Sequence, residues 1–145
     1  HSITTVYLRY AETVALPAPV CGLADGTVQW FFQRGLLGGS GREVSAVISA
    51  SDQIGRLAAE EWIRRADADL RRICPDPGAL LAAKALTEKR ATAAAEAGRR
   101  PPDCRWLQQH NIYPAGDYLH PRYPATLEAA VQSGNMAAEM LLNRL

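Results

Sequence analysis

Alternation of apolar and polar positions opens the chain. Residues 3–10 are rich in β-branched and aromatic types and predict a strand with Val6 and Leu8 on one face. Pro17 and Pro19 make residues 15–21 an extended connector or edge segment. Residues 27–33 predict a second strand, with Trp30, Phe31 and Phe32 distributed over both faces. A Gly-rich hairpin loop over 36–42 leads to a third strand over 43–50, with Val44, Ala46 and Ile48 on one side.

The period then changes. Ser49-Ala50-Ser51-Asp52 offers a helix N-cap, and a helix is predicted from Asp52 to about Cys74. Ile54, Ala58, Trp62, Ala66, Leu70 and Ile73 form its apolar stripe, whereas Glu60, Glu61, Arg64, Arg65 and Arg71 face water. Pro75-Asp76-Pro77-Gly78 stops it. Residues 79–97 carry the alanine and lysine content of a helix. Gly98 to Asp103, with Pro101-Pro102, is a loop, and residues 106–110 lead into a final strand containing Ile112, Tyr113 and Ala115. Pro114 cannot donate to a ladder there.

The chain is organised around its last 35 residues, Asn111 to Leu145. Gly116-Asp117 ends the final strand, a Pro-rich turn intervenes, and a helix runs from about Thr126 to the C-terminus. Its face of Ala130, Gly134, Ala137 and Ala138 is made of small residues, beside the larger Leu127, Val131 and Leu141. Gly134 weakens a helix, so close approach of another backbone is the expected reason for it. A strand ending in Gly-Asp before a helix N-terminus can hold a cofactor. Glycine admits close approach, the carboxylate accepts from hydroxyls, and free N–H groups face a polar or anionic group. The same two residues can also be turn formers and nothing more.

Composition narrows the classes. The 145 residues are 48% hydrophobic and 21% charged, the profile of an ordinary soluble globular protein. A net charge of +1 gives no electrostatic case for nucleic acid or an anionic membrane. Cys21, Cys74 and Cys104 have no Cys-x-x-Cys spacing, which suits free thiols in a reducing compartment better than a zinc site. No apolar run approaches the ~20 residues of a membrane-spanning helix. The chain has no signal peptide and begins at His1, directly on a strand, so a boundary inside a longer protein is expected.

The run Gly-Asp-Tyr-Leu-His-Pro-Arg-Tyr-Pro-Ala-Thr-Leu-Glu-Ala-Ala-Val-Gln-Ser-Gly from Gly116 resembles the C-terminal FAD-contacting motif of the flavin amine oxidase and phytoene desaturase superfamily. Within that superfamily the chain is most similar to the squalene-associated FAD-dependent desaturases, the hydroxysqualene dehydroxylases of hopanoid synthesis. Two further runs agree and fall in family order: Gln29-Trp30-Phe31-Phe32-Gln33-Arg34-Gly35 and Glu88-Lys89-Arg90-Ala91-Thr92. The family more often has an apolar residue where Pro114 stands, which puts full pairing of the last strand in doubt. Proteins of this superfamily open with a strand, Gly-x-Gly-x-x-Gly and helix for the FAD pyrophosphate, and Gly35, Gly38, Gly39 and Gly41 do not have that spacing.

The resemblance implies an α+β chain in two parts. Residues 1–110 would hold antiparallel strands of a substrate domain with a long amphipathic helix. Residues 111–145 would form the strand and helix that complete an FAD-binding domain, whose dinucleotide-binding half is absent. It also favours a strand over roughly residues 83–92. Asp117 would hydrogen-bond the ribitol or pyrophosphate of FAD, with Gly116 and Tyr118 beside it. The N–H groups after Ala125, at Thr126, Leu127 and Glu128, would face the flavin pyrimidine edge. Trp30 and Arg34 would lie on the side of an apolar isoprenoid substrate.

The blander alternatives are that Asp117 caps its own loop, Arg34 is a surface ion-pair partner, Glu128 merely suits the helix dipole, and Lys89 and Arg90 are solvated. His110 and His120 lack ligand-like neighbours, no nucleophilic triad is suggested, and no general acid or base can be named. The parent enzyme is expected in the cytoplasm, free or peripheral to a membrane. The chain alone should be inactive and should self-associate through Ala130, Gly134 and Ala138. A carotenoid desaturase, an amine oxidase or a non-enzymatic binding module are the alternative readings.

Overall fold

The computed structural model describes residues 1–74, 76–94, 96–98 and 100–143. They fall into two compact units, His1–Ala91 and Thr92–Leu145.

The first unit is a five-stranded antiparallel sheet with one helix. Its strands are β1 (Ile3–Tyr10), β2 (Val20–Gly22), β3 (Trp30–Gln33), β4 (Glu43–Ser49) and β5 (Leu80–Glu88), and the helix is α1 (Ala59–Ile73). The order across the sheet is β2-β3-β4-β1-β5. β1 pairs on both sides, Val6 lying opposite Ala46 of β4 and Ala85 of β5. The alternation in β1 and β4 works as predicted. Val6, Leu8, Val44, Ala46 and Ile48 point to the same side and are buried with Phe31 against Trp62, Ala66 and Leu70 of α1. The segment with Pro17 and Pro19 feeds a short edge strand, as its composition requires.

β5 is the strand that helix propensity alone would miss. Its alanines form a ladder with β1 from Glu88 opposite Ile3 to Leu80 opposite Tyr10. Pairing along the whole of β1, half of it β-branched, outweighs a propensity of a few tenths of a kcal/mol per residue.

The predicted start of the long helix is corrected. Residues Ser51–Gln53 form a single 3-10 turn and α1 begins seven residues after Asp52, at Ala59. Gly55 sits at φ 112°, outside helical space. Asp52 is engaged elsewhere: its carboxylate accepts the Ser2 N–H at 2.7 Å and meets His1 Nδ1 at 2.8 Å. Ile54 consequently leaves the stripe and is exposed. Of the stop signal after α1, Pro75 lies outside the described residues.

The second unit contains α2 (Arg105–Gln109), a 3-10 turn over Asp117–Leu119 and α3 (Leu127–Leu142). The predicted final strand is absent among its described residues. Residues 105–109 are helical, Asn111 takes a left-handed φ of 58°, and the Ile112 N–H turns back to the Leu107 carbonyl at 2.9 Å. Pro114 then removes a ladder donor, and the described residues of this unit supply no strand to pair with. The last helix ends at Leu142, and Arg144 and Leu145 lie outside the described residues.

Within this unit α3 buries Ala129, Ser133 and Ala137, not the whole small-residue face. Ala130 and Gly134 are half-buried and Ala138 is exposed. A Cβ at Gly134 would meet nothing within 4 Å. Leu127, Val131 and Leu141 are exposed, Leu127 to 89%.

Candidate cofactor site

The Gly-Asp turn is tied to α3 by side chains one to two helical turns along it. The Gly116 N–H donates to Ser133 Oγ at 2.6 Å, and Ser133 Oγ donates to the Ala130 carbonyl at 3.3 Å. The Tyr118 ring folds over Gly116, where any Cβ would overlap it. In this arrangement that contact, not backbone strain, disfavours a side chain at position 116, since its φ of 163° is ordinary extended backbone.

Asp117 opens the 3-10 turn and is half-buried. Its main-chain carbonyl accepts the His120 N–H at 3.2 Å, and the N-cap of the turn is Gly116, which has no side chain to cap it. Among the described residues no hydrogen bond to the Asp117 carboxylate is found, and the half-buried residue leaves it open to water or to a ligand.

The connection from the turn to α3 is held by His120. Its Nδ1 accepts the N–H groups of Arg122 and Tyr123, each at 3.2 Å, and its Nε2 lies 3.1 Å from Gln132 Oε1. Two donors on Nδ1 place the ring proton on Nε2, which donates to Gln132. The same Gln132 oxygen accepts from the Tyr123 hydroxyl at 3.1 Å, and Tyr123 stacks on the His120 ring. Gln132 in turn donates to Glu128 at 2.6 Å, so that carboxylate is engaged within the helix.

At the helix start, Thr126 is an N-cap whose Oγ1 accepts the Ala129 N–H at 3.1 Å and donates to the Tyr123 carbonyl at 3.0 Å. The preceding Ala125 takes φ 63°, a left-handed conformation costing an alanine about 1–2 kcal/mol. The N–H groups of Leu127 and Glu128 belong to the first turn, which has no intrahelical acceptors for them. A carboxylate without a hydrogen bond among the described residues and a helix N-terminus thus occur within one anchored stretch. Its donor and acceptor set fits a ligand bearing both hydroxyls and negative charge.

Trp30 and Arg34, the residues expected on the substrate side, belong to the first unit. Val44 and Ala46 face α1, so the pleat puts Trp30, Phe32, Tyr7, Val47 and Leu86 on the opposite face of the sheet. Trp30, Tyr7 and Leu86 are exposed on that face. Arg34 begins a 3-10 turn and lines a cleft of about 280 Å³ with Tyr7, Arg9, Glu43 and Lys84. Sequence reasoning missed Ser133, Gln132 and His120 as anchors of the turn, because lone polar residues in a helix or a Pro-rich turn carry no periodic signal.

Among the described residues no cluster of three or more His, Cys, Asp or Glu side chains is placed to hold a metal, and no helix is long and apolar enough to cross a membrane. The family model described as flavin containing amine oxidoreductase matches residues 2–142. Hydroxysqualene dehydroxylase of Zymomonas mobilis subsp. mobilis is 30% identical over 98% of this chain and 33% of its own length. The protein of that name from Rhodopseudomonas palustris is 31% identical over 97% of this chain and 32% of its own length. That of Sinorhizobium fredii is 30% identical, again over 98% and 33%. The chain therefore spans about a third of the length of the curated relatives it matches.

Proposed function

Because the chain belongs to the flavin containing amine oxidoreductase family, we propose that it is the C-terminal third of an FAD-dependent oxidoreductase acting on a polyisoprenoid. Residues 1–110 close the substrate domain and residues 111–145 complete the FAD-binding domain. The dinucleotide-binding half lies in the remaining length of the full polypeptide. Hydroxysqualene is the favoured substrate, following the names of the relatives, with hopanoid synthesis as the setting.

The observation that carries the reading is Asp117: it sits in a turn pinned to α3, and its carboxylate takes part in no hydrogen bond found among the described residues. Asp117 would accept from FAD hydroxyls, with Gly116 and Tyr118 shaping the approach. The first-turn N–H groups at Leu127 and Glu128, set by Ala125 and Thr126, would face the flavin ring, where the helix dipole favours negative charge. The bound flavin supplies the two-electron chemistry. The exposed aromatic and aliphatic side chains of the sheet face opposite α1, Trp30, Tyr7 and Leu86, would bind the hydrocarbon, and Arg34 would stand near Tyr7.

The chain by itself is expected to be catalytically silent. Its exposed α3 stripe would pack on the rest of the enzyme or, in isolation, on a second copy. The full enzyme would be cytoplasmic and peripheral to a membrane that supplies its substrate. A carotenoid desaturase or amine oxidase is the nearest alternative chemistry. In a non-enzymatic module the Gly-Asp pair would be a simple turn with its carboxylate in water.

Anaerobic turnover of hydroxysqualene by the full-length polypeptide, loaded with FAD and supplied with a flavin reductant, tests the proposal. Formation of squalene supports it. Flavin-loaded protein that leaves hydroxysqualene unchanged but, in air and without the reductant, oxidises an amine with oxygen as acceptor would redirect it to the amine oxidase branch.

A further inference from the structure

Ser45 is a buried hydroxyl with nothing to bond among the described residues. It lies in the middle of β4, directly opposite Tyr7 of β1 and Phe32 of β3. Its neighbours Val44 and Ala46 point to α1 and are fully buried, so Ser45 points to the other face, the one carrying Trp30, Phe32, Tyr7 and Val47. It is only 6% exposed. Other buried hydroxyls are treated differently. Ser2, Thr4 and Ser51 bond one another, and Ser133 bonds the Gly116 N–H.

A buried hydroxyl without a partner is worse for folding than a methyl group of similar size, and so calls for a role. We propose that Ser45 is a specificity-determining residue that hydrogen-bonds the hydroxyl of an isoprenoid alcohol lying on the aromatic part of this sheet face, and so distinguishes the alcohol from the parent hydrocarbon. The proposal rests on the isoprenoid reading given above. The chemistry favours a neutral alcohol. A serine can both donate to and accept from another hydroxyl; its directly opposite neighbours are the uncharged Tyr7 and Phe32, while Arg9, Glu43 and Lys84 lie further along the same face. Tyr7, directly opposite Ser45, is 41% exposed on this face. A ligand lacking the hydroxyl would cover the same aromatic surface and leave Ser45 unsatisfied, which is how a polar group in an apolar site discriminates.

The test uses the full-length, flavin-loaded polypeptide and titrates hydroxysqualene and squalene separately, following the perturbation of the flavin absorbance. The wild type should prefer the alcohol. Ser45→Ala should weaken hydroxysqualene binding by about tenfold and leave squalene within about twofold, collapsing the preference. Removing an unbonded hydroxyl should not lower the melting temperature, so the variant remains folded for the measurement. Ser45→Cys, with a weak donor in the same place, should fall between the two. Equal changes for both ligands, or no change for either, would overturn the role of Ser45 while leaving the isoprenoid reading intact. Failure of the wild type to bind either ligand would overturn both.

Discussion

The N–H of Gly116 donates to Ser133 Oγ at 2.6 Å, joining the Gly-Asp turn to the second turn of α3. The bond fixes where Asp117 stands relative to the helix N-terminus, and neither residue would suggest it by spacing.

Ser133→Ala should therefore act on both stability and cofactor retention. It leaves the Gly116 N–H without its acceptor, a loss of about 1–2 kcal/mol. Chemical unfolding should show that drop, and flavin should dissociate at least about threefold faster from the full-length protein. Unchanged unfolding with unchanged flavin release would show that the bond does not position the turn.

A second anchor lies in the first unit. Asp69 of α1 accepts the N–H groups of Thr27 at 2.7 Å and Val28 at 3.0 Å, holding the loop before β3 against the helix. Asp69→Ala should cost about 2–4 kcal/mol by orphaning both donors. A Cβ at Gly26 would come within 2.8 Å of Asp69 Oδ2 and overlap Leu23. Gly26→Ala should then be less damaging in the Asp69→Ala background than in the wild type. Additive losses in a double-mutant cycle would contradict this coupling.

Acid should act on α1 through Glu61. Hydrogen bonds from Arg64 and Arg65, at 2.7 Å each, lower its carboxyl to about 2 from a usual 4.5. A carboxyl with a depressed folded pKa contributes stability above its unfolded value and loses it as pH falls towards the folded one. The melting temperature should fall between about pH 4.5 and 2, and Glu61→Gln should flatten part of that slope. Because the group is on the surface, 1 M salt should shrink the difference. An acid slope identical in wild type and Glu61→Gln would contradict the assignment.

Periodicity made β1, β3, β4 and the Trp62-Ala66-Leu70 stripe legible from sequence. β5 was not legible that way, because its alanine-rich composition favours a helix and only the ladder with β1 decides otherwise. The start of α1 was hidden because Asp52, a good cap in isolation, is bonded to Ser2 across the sheet. The expected strand before Gly116 failed where Pro114 had already put its pairing in question. In the site, the turn and the Thr126 cap follow from residue type. The bonds to Ser133 and Gln132 depend on tertiary placement, which leaves no pattern in the chain. Ser45 was hidden for a related reason: a serine alternating with apolar residues reads as a solvated position.

The most direct test is the flavin spectrum of the full-length protein and its Asp117→Ala variant, purified without added cofactor, with thermal melts of both in flavin-free form. The wild type should carry flavin, and the variant should bind it at least about tenfold more weakly, the loss of hydrogen bonds to a charged group. Melts of the flavin-free proteins should differ by less than about 0.5 kcal/mol, since no turn of the described chain depends on that carboxylate. A colourless wild type that ignores added FAD, or a variant that loses stability while keeping its flavin, would contradict a cofactor role for Asp117.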